Sequence, residues 1–280
     1  MTEGHDRERA PGPITSLTNP RVKAAVRLRD RRERETTGLT IVDGARELLR
    51  ALDAGVPVQS AFVAPDLVRS PEAIAVADRL RHRPGTIEAS PAVLSKIAFG
   101  DRSDGVVAIV EAPSPGLDDL RLPDDPLIVV VEGVEKPGNL GAVLRTADAA
   151  GVDAVIAADP LTDVFNPNAV RASLGTIFTV PVVSAPSEEV VAWLGRHGIR
   201  AVAAIVGAPL VHTQADLTGP LAVVLGSEAD GLGPTWRTAD VEPVSIPMAG
   251  VADSLNVSIA TAVLLFEAVR QRAGHPEPPH

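Results

Sequence analysis

Two runs, Leu127-Ile128-Val129-Val130-Val131 and Leu221-Ala222-Val223-Val224-Leu225, are apolar at every position and leave no polar residue where a half-solvated strand would put one. Short runs of this kind fit strands covered on both faces, and such strands belong to parallel sheets flanked by helices. The same rhythm continues around them. Strands are predicted over 152–157, 180–183, 201–206 and 244–248, alternating with helices over 139–151, 188–194 and 254–272 and a turn and helix over 166–175. Strict alternation predicts an α/β fold, an open and mostly parallel sheet with helices on both faces.

The preceding hundred residues alternate too, with strands over 40–42, 58–63, 86–89 and 106–110 and helices over 44–52, 71–81 and 91–98. They predict a small α/β/α domain, a recognition module without a glycine-rich phosphate loop or catalytic pair. A Pro- and Asp-rich stretch separates the two halves, giving a disordered arm (1–13), a first domain (14–112), a linker (113–125), a second domain (126–274) and a disordered tail (275–280). With 280 residues, 45% of them apolar, the chain has material for two such cores.

Composition narrows the function classes. There is no cysteine, and the six histidines include no pair at metal-ligand spacing, so no metal is expected. No apolar run approaches a membrane span and the first residues lack the apolar core of an export signal, which predicts a cytoplasmic protein without a membrane partner. The net charge of −10 argues against indiscriminate coating of nucleic acid. A local basic segment runs the other way: Arg21, Lys23, Arg27, Arg29, Arg31, Arg32 and Arg34 surround apolar Val22, Ala25 and Val26 on one amphipathic helix beginning near Pro20. Both a solvated helix face and an RNA contact fit that pattern.

Chemistry concentrates in the second domain. A glycine-bounded turn follows the strand 221–225, running Gly226-Ser227-Glu228-Ala229-Asp230-Gly231-Leu232-Gly233, and the polar cluster Asp253-Ser254-Leu255-Asn256 opens the last helix. Loops after strands are where α/β proteins place ligands, so a site is predicted there. Asn139 reads as the N-cap of the helix after the strand 127–131, and Arg145 falls among its apolar positions, which suggests an anion or ribose site. No G-x-G-x-x-G follows any strand, so a standard dinucleotide site is disfavoured.

Three segments carry a family resemblance. Asn139-Leu140-Gly141-Ala142-Val143-Leu144-Arg145-Thr146-Ala147, Leu225-Gly226-Ser227-Glu228-Ala229-Asp230-Gly231-Leu232, and Ser245-Ile246-Pro247-Met248 with Ser254-Leu255-Asn256-Val257-Ser258 resemble, in order and spacing, the three motifs of the SpoU (TrmH-like) branch of the SPOUT RNA methyltransferases. The resemblance implies a trefoil-knotted second domain preceded by an L30e-like substrate-binding domain. It implies S-adenosylmethionine as cofactor, a homodimer through the C-terminal domain, and 2'-O-methylation of RNA, ribosomal (23S) RNA before transfer RNA. A resistance enzyme and a non-catalytic RNA-binding protein are the other outcomes.

By that similarity Arg145, Asn139, Glu228, Ser254 and Asn256 are the catalytic candidates. Ala204, Leu225, Gly226, Gly231, Ile246, Met248 and Leu255 are the cofactor candidates. Arg21, Lys23, Arg27, Arg29, Arg46 and Arg171 are the candidates for RNA contact.

Overall fold

The computed structural model describes residues 12–99 and 104–273. The expected arm lies outside the described residues except for its last two, and the expected tail lies wholly outside them. Contacts divide the chain into two compact units between Glu111 and Ala112.

The first unit runs α1 (Pro20–Arg27), α2 (Arg31–Thr37), β1 (Leu39–Val42), α3 (Ala45–Asp53), β2 (Val58–Val63), α4 (Pro71–Leu80), β3 (Thr86–Glu88), α5 (Pro91–Ile97) and β4 (Val106–Glu111). Its sheet has the order β1-β4-β2-β3, with β4 antiparallel to both neighbours and β3 parallel to β2. Val22, Ala25, Val93, Leu94 and Ile97 cover one face over Phe62, Val107 and Ile109. α3 and α4 pack together and against β4, burying Leu48, Ala51, Val76 and Leu80.

The basic segment departs from expectation, because it forms two helices instead of one. Asp30 accepts from the Arg32 N–H and starts α2 three residues after α1 has ended. Arg34 is buried and donates to the carbonyls of Leu28 (2.7 Å) and Arg29 (2.9 Å), so this cation closes the turn between the helices.

The second unit contains β5 (Leu127–Glu132), α6 (Pro137–Ala150), β6 (Ala154–Ala158), α7 (Pro167–Ala172), β7 (Val182–Ala185), α8 (Ser187–Arg196), β8 (Arg200–Ala204), β9 (Leu210–Val211), β10 (Leu221–Leu225), α9 (Pro234–Thr238), β11 (Val241–Ser245) and α10 (Val257–Arg272). Its seven-stranded sheet is parallel throughout, in the order β7-β6-β5-β10-β8-β11-β9. The last two strands of the chain insert between strands laid down earlier: β10 enters between β5 and β8, and β11 between β8 and β9. Every residue of β10 is buried, as its unbroken apolar run requires, and each large side chain so removed from water contributes roughly 1.5–3 kcal/mol. Leu117, Leu120 and Leu122, from the Pro- and Asp-rich connection, pack on the same core as Trp193 and Trp236.

Three boundaries near the expected site differ from the sequence reading. The strand expected over 244–248 runs Val241–Ser245, because β8 ends at Ala204, opposite Val244, and Pro247 has no N–H to offer any further partner. The last helix starts at Val257, capped by Asn256, whose side chain accepts from the Ser258 N–H. Asn139 is not a cap: Pro137 takes the first helical turn with its preset φ, Lys136 occupies the cap position, and the Asn139 side chain is released for other work.

Candidate active site

The work Asn139 does is to meet the turn that follows β10. Its amide Nδ2 donates to Glu228 Oε1 at 2.7 Å, while Lys136 Nζ donates to Glu228 Oε2 at 2.7 Å. Asn256 Nδ2 also donates to Glu228 Oε1, and to Asn139 Oδ1 at 3.3 Å. Asn256 Oδ1 in turn accepts from the Ser258 backbone N–H (3.0 Å) and hydroxyl (2.6 Å). Three separate pieces of chain, the start of α6, the 226–233 turn and the cap of α10, thus close on one carboxylate. The hydrogen bond from Lys136 holds the Glu228 carboxyl below its ordinary range, and Glu228 raises the Lys136 ammonium in return. Both are therefore charged near neutrality, which makes Glu228 a fixed acceptor and a poor proton donor.

The turn itself is shaped by two glycines. Ser227 and Gly231 exchange backbone hydrogen bonds at 3.0 and 3.2 Å, and Gly231 takes φ +67°. A Cβ on Gly226 would collide with the backbone of Gly231 and Leu232, so backbone groups approach one another here where side chains cannot. Beneath the turn, Glu132 at the end of β5 accepts from the Gly233 N–H (2.6 Å) and the Ser187 hydroxyl (3.2 Å). Ser187 accepts from the buried Trp236 indole at 3.1 Å. This anchor ties the turn and α9 to the sheet.

A cavity of about 300 Å³ opens beside the turn. All seven cofactor candidates, Ala204, Leu225, Gly226, Gly231, Ile246, Met248 and Leu255, line it, with Glu228 and Ser254 among the other lining residues. Its size is at the low end of small-molecule pockets, and its lining of mostly apolar residues with a few polar groups is the usual composition of one. A neighbouring hollow of about 180 Å³, lined by Lys136, Asn139, Gly226 and Glu228, shares its wall.

Arg145 stands apart. It is exposed on α6, lines neither cavity, and has no hydrogen-bond or ion-pair partner among the described residues. Six residues beyond Asn139 it lies roughly 240° around the helix and about 9 Å along it. One chain therefore brings together Asn139, Glu228, Ser254 and Asn256, and leaves Arg145 outside. Ile259 and Phe266 on α10, which packs against α6, are about half exposed at 52% and 50% and lie two turns apart on one apolar stripe.

Of the basic candidates, Arg21, Lys23, Arg27 and Arg46 are exposed in the first unit, Arg27 pairing with Glu33 at 3.0 Å. Arg29 donates to the carbonyls of Lys96 (3.0 Å) and Ala98 (2.6 Å) and lies over the Phe99 ring, so it fastens α1 to α5. Arg171 is half-buried on α7 in the second unit. Lys136, Glu132 and Arg237, which also borders the cavity, are site residues that sequence reasoning missed. The one available signal was the charge of Glu132 at the end of an otherwise apolar strand. Among the described residues no helix is long and apolar enough to cross a membrane, and no group of three His, Asp or Glu residues is placed to hold a metal.

Comparison with known proteins adds five findings. Residues 126–266 match the model of the SpoU rRNA Methylase family, and residues 19–108 match the MRM3-like substrate binding domain. The 23S rRNA (uridine(2479)-2'-O)-methyltransferase of Streptomyces viridochromogenes is 34% identical over 88% of this chain and 87% of its own. The 23S rRNA (guanosine-2'-O-)-methyltransferase RlmB of Ralstonia nicotianae is 41% identical over 64% of this chain and 74% of its own. The crystal structure of an AdoMet-bound rRNA methyltransferase from Sinorhizobium meliloti superposes with a TM-score of 0.83 at 33% identity, covering 93% of this chain and 98% of that one.

Proposed function

The chain belongs to the SpoU rRNA Methylase family, and from that premise we propose that it transfers a methyl group from S-adenosylmethionine to a ribose 2'-hydroxyl of 23S ribosomal RNA in the cytoplasm. The observation that carries the reading is the convergence of seven cofactor candidates on one cavity whose wall continues into the Glu228–Asn139–Asn256 network. The cavity suits the cofactor: it is mostly apolar, it is formed where glycine lets backbone groups crowd together, and charged groups stand only at its edge. When bound, S-adenosylmethionine supplies an electrophilic methyl group on a sulfonium.

The remaining roles belong to the chain. Glu228, held ionised by Lys136, orients Asn139 and Asn256 and fixes the turn that forms the cavity wall. Ser254, exposed at the rim, offers a hydroxyl to the ribose. Arg145, whose guanidinium offers donors and no acceptor, binds the phosphate next to the target ribose and stabilises charge there, and does not act as the base. Because Arg145 lies outside the cluster of its own subunit, the reading includes a homodimer in which the α10 stripe of Ile259 and Phe266 packs against a second copy and completes the site. The insertion of β10 and β11 between earlier strands supports a trefoil knot in residues 126–274. The first domain, 14–112, is taken as an L30e-like RNA-binding module that uses Arg21, Lys23, Arg27 and Arg46 and, in a lesser part, Arg29, and Arg171 is taken as an RNA contact of the second domain by itself.

The test uses the purified chain, total ribosomal RNA and S-adenosylmethionine labelled in its methyl group. Reverse-transcription stops at low nucleotide concentration should map one new 2'-O-methyl site in 23S RNA. Label that enters transfer RNA and leaves ribosomal RNA untouched would refute the substrate.

A further inference from the structure

Arg237 borders the cavity from α9 and has no part in the roles described so far. Among the described residues that line the cavity it is the sole cation, and Glu228 and Asp253 are its acids. Its position is set by rigid neighbours. Trp236, the preceding residue, is fully buried and bonded to Ser187, and Arg237 Nε donates to the Leu232 carbonyl at 2.9 Å, in the turn that carries Gly226 and Gly231. The guanidinium is exposed and has no ion-pair partner among the described residues, so the donors of its fork beyond Nε are open to a ligand.

A planar guanidinium held by one nitrogen offers its remaining N–H groups to a carboxylate. S-adenosylmethionine has one anionic group, the carboxylate of its amino-acid end, together with an ammonium and a sulfonium. The cavity edge presents the complementary set, one guanidinium and two carboxylates. We propose that Arg237 is a cofactor-positioning residue that binds the carboxylate of the amino-acid end, fixing how deeply the ligand sits in the cavity and hence where its sulfonium methyl lies. The proposal rests on the S-adenosylmethionine reading above.

Calorimetric titration of three ligands against wild type, Arg237→Ala and Arg237→Lys tests it. S-adenosylmethionine and S-adenosylhomocysteine carry the carboxylate, and 5'-methylthioadenosine lacks the amino-acid end. Loss of one charge-assisted contact predicts binding of the first two weakened about 10- to 100-fold in Arg237→Ala and partly restored in Arg237→Lys, with methylthioadenosine changed by less than ~2-fold. Equal weakening of all three ligands would overturn the proposal, because it would mean that Arg237 acts only by bracing the turn through Leu232. Unchanged S-adenosylmethionine affinity with weaker RNA retention on a filter would overturn it in favour of a phosphate contact. If Arg237→Ala does not fold, as judged by its thermal melt, Arg237→Gln carries the same comparison. Wild type that binds none of the three ligands would instead remove the cofactor reading itself.

Discussion

Asn256 performs two tasks that a pair of substitutions can separate. Its Oδ1 caps α10 by accepting from the Ser258 N–H at 3.0 Å, and its Nδ2 donates to Glu228 and Asn139. Asn256→Ala removes both. Loss of the cap costs about 1 kcal/mol, and loss of a hydrogen bond to an exposed carboxylate, which water can replace, costs about 1 more. The unit containing α10 should therefore lose about 2 kcal/mol, a guanidinium midpoint lower by roughly 0.3–1 M at ordinary denaturant slopes. Asn256→Asp keeps the cap, since Asp and Asn cap equally well, but turns a carboxylate toward Glu228. At a solvent-exposed separation near 4 Å that repulsion is about 1 kcal/mol, and it should fade in high salt and as one of the two carboxyls is protonated in acid. Stability of Asn256→Ala should depend on salt as the wild type does, and its deficit should narrow in acid, because the Asn256 hydrogen bond is one of the causes that hold the Glu228 carboxyl low. In both variants the loosened Asn139 and Glu228 should slow methyl transfer about 100-fold. Denaturation curves at pH 4–8 and in low and high salt, beside an rRNA methylation assay, provide the readout. An Asn256→Asp protein that matches wild type in stability at every pH and in turnover would refute the network as drawn.

Three further outcomes follow from the same geometry. Arg145→Ala should fold and bind S-adenosylmethionine normally yet lose methyl transfer by ~100-fold or more, and near-normal turnover would remove Arg145 from the mechanism. Phe266→Glu combined with Ile259→Asp should convert a dimer to a monomer by light scattering at micromolar concentration, since both residues interrupt the exposed stripe of α10, and an unchanged mass would place the interface elsewhere. Glu267 accepts from Arg270 (2.7 and 2.9 Å) and Gln271 (2.8 Å), and the Arg270 hydrogen bond is the main cause that lowers its carboxyl from 4.5 to about 2. A depressed folded pKa contributes stability above the unfolded value that is lost as pH falls toward the folded one, so the stability gap between wild type and Glu267→Gln should narrow between pH 4.5 and about 2. Parallel curves through that window would discard the contribution.

The layered α/β plan was readable because burial on both faces leaves unbroken apolar runs, and β5 and β10 occupy the runs at 127–131 and 221–225. Within the first unit β2 has the expected bounds for the same reason. What local pattern does not encode is recruitment of a side chain by a distant partner. Asn139 has the chemistry of a cap, and only the arrival of Glu228 from far along the chain shows that it is used otherwise. The short edge strand β9 and the five-residue α9 escaped notice because neither is long enough to display a period. Loop position pointed to the turn that holds Gly226 and Gly231 and to the cluster that holds Leu255, but the individual cavity residues were named through family resemblance alone: Leu225, Ile246 and Leu255 are ordinary apolar residues, and neither composition nor spacing sets them apart.

The late insertion of β10 bears on how the molecule is made. Leu127 of β5 pairs with Leu221 of β10, so on that side one edge of β5 stays open until roughly 90 more residues have been synthesised. At a translation rate of about 5–20 residues per second that edge, with its backbone N–H and C=O groups unpaired, waits on the order of 5–20 s for its partner. An unpaired strand edge of this kind is a template for association with other chains. The cavity matures later still, because Ile246, Met248 and Leu255 follow β10. Ligand binding can stabilise the finished chain but has no purchase on the nascent one, and until β10 arrives the open side of β5 depends on whatever else shields it.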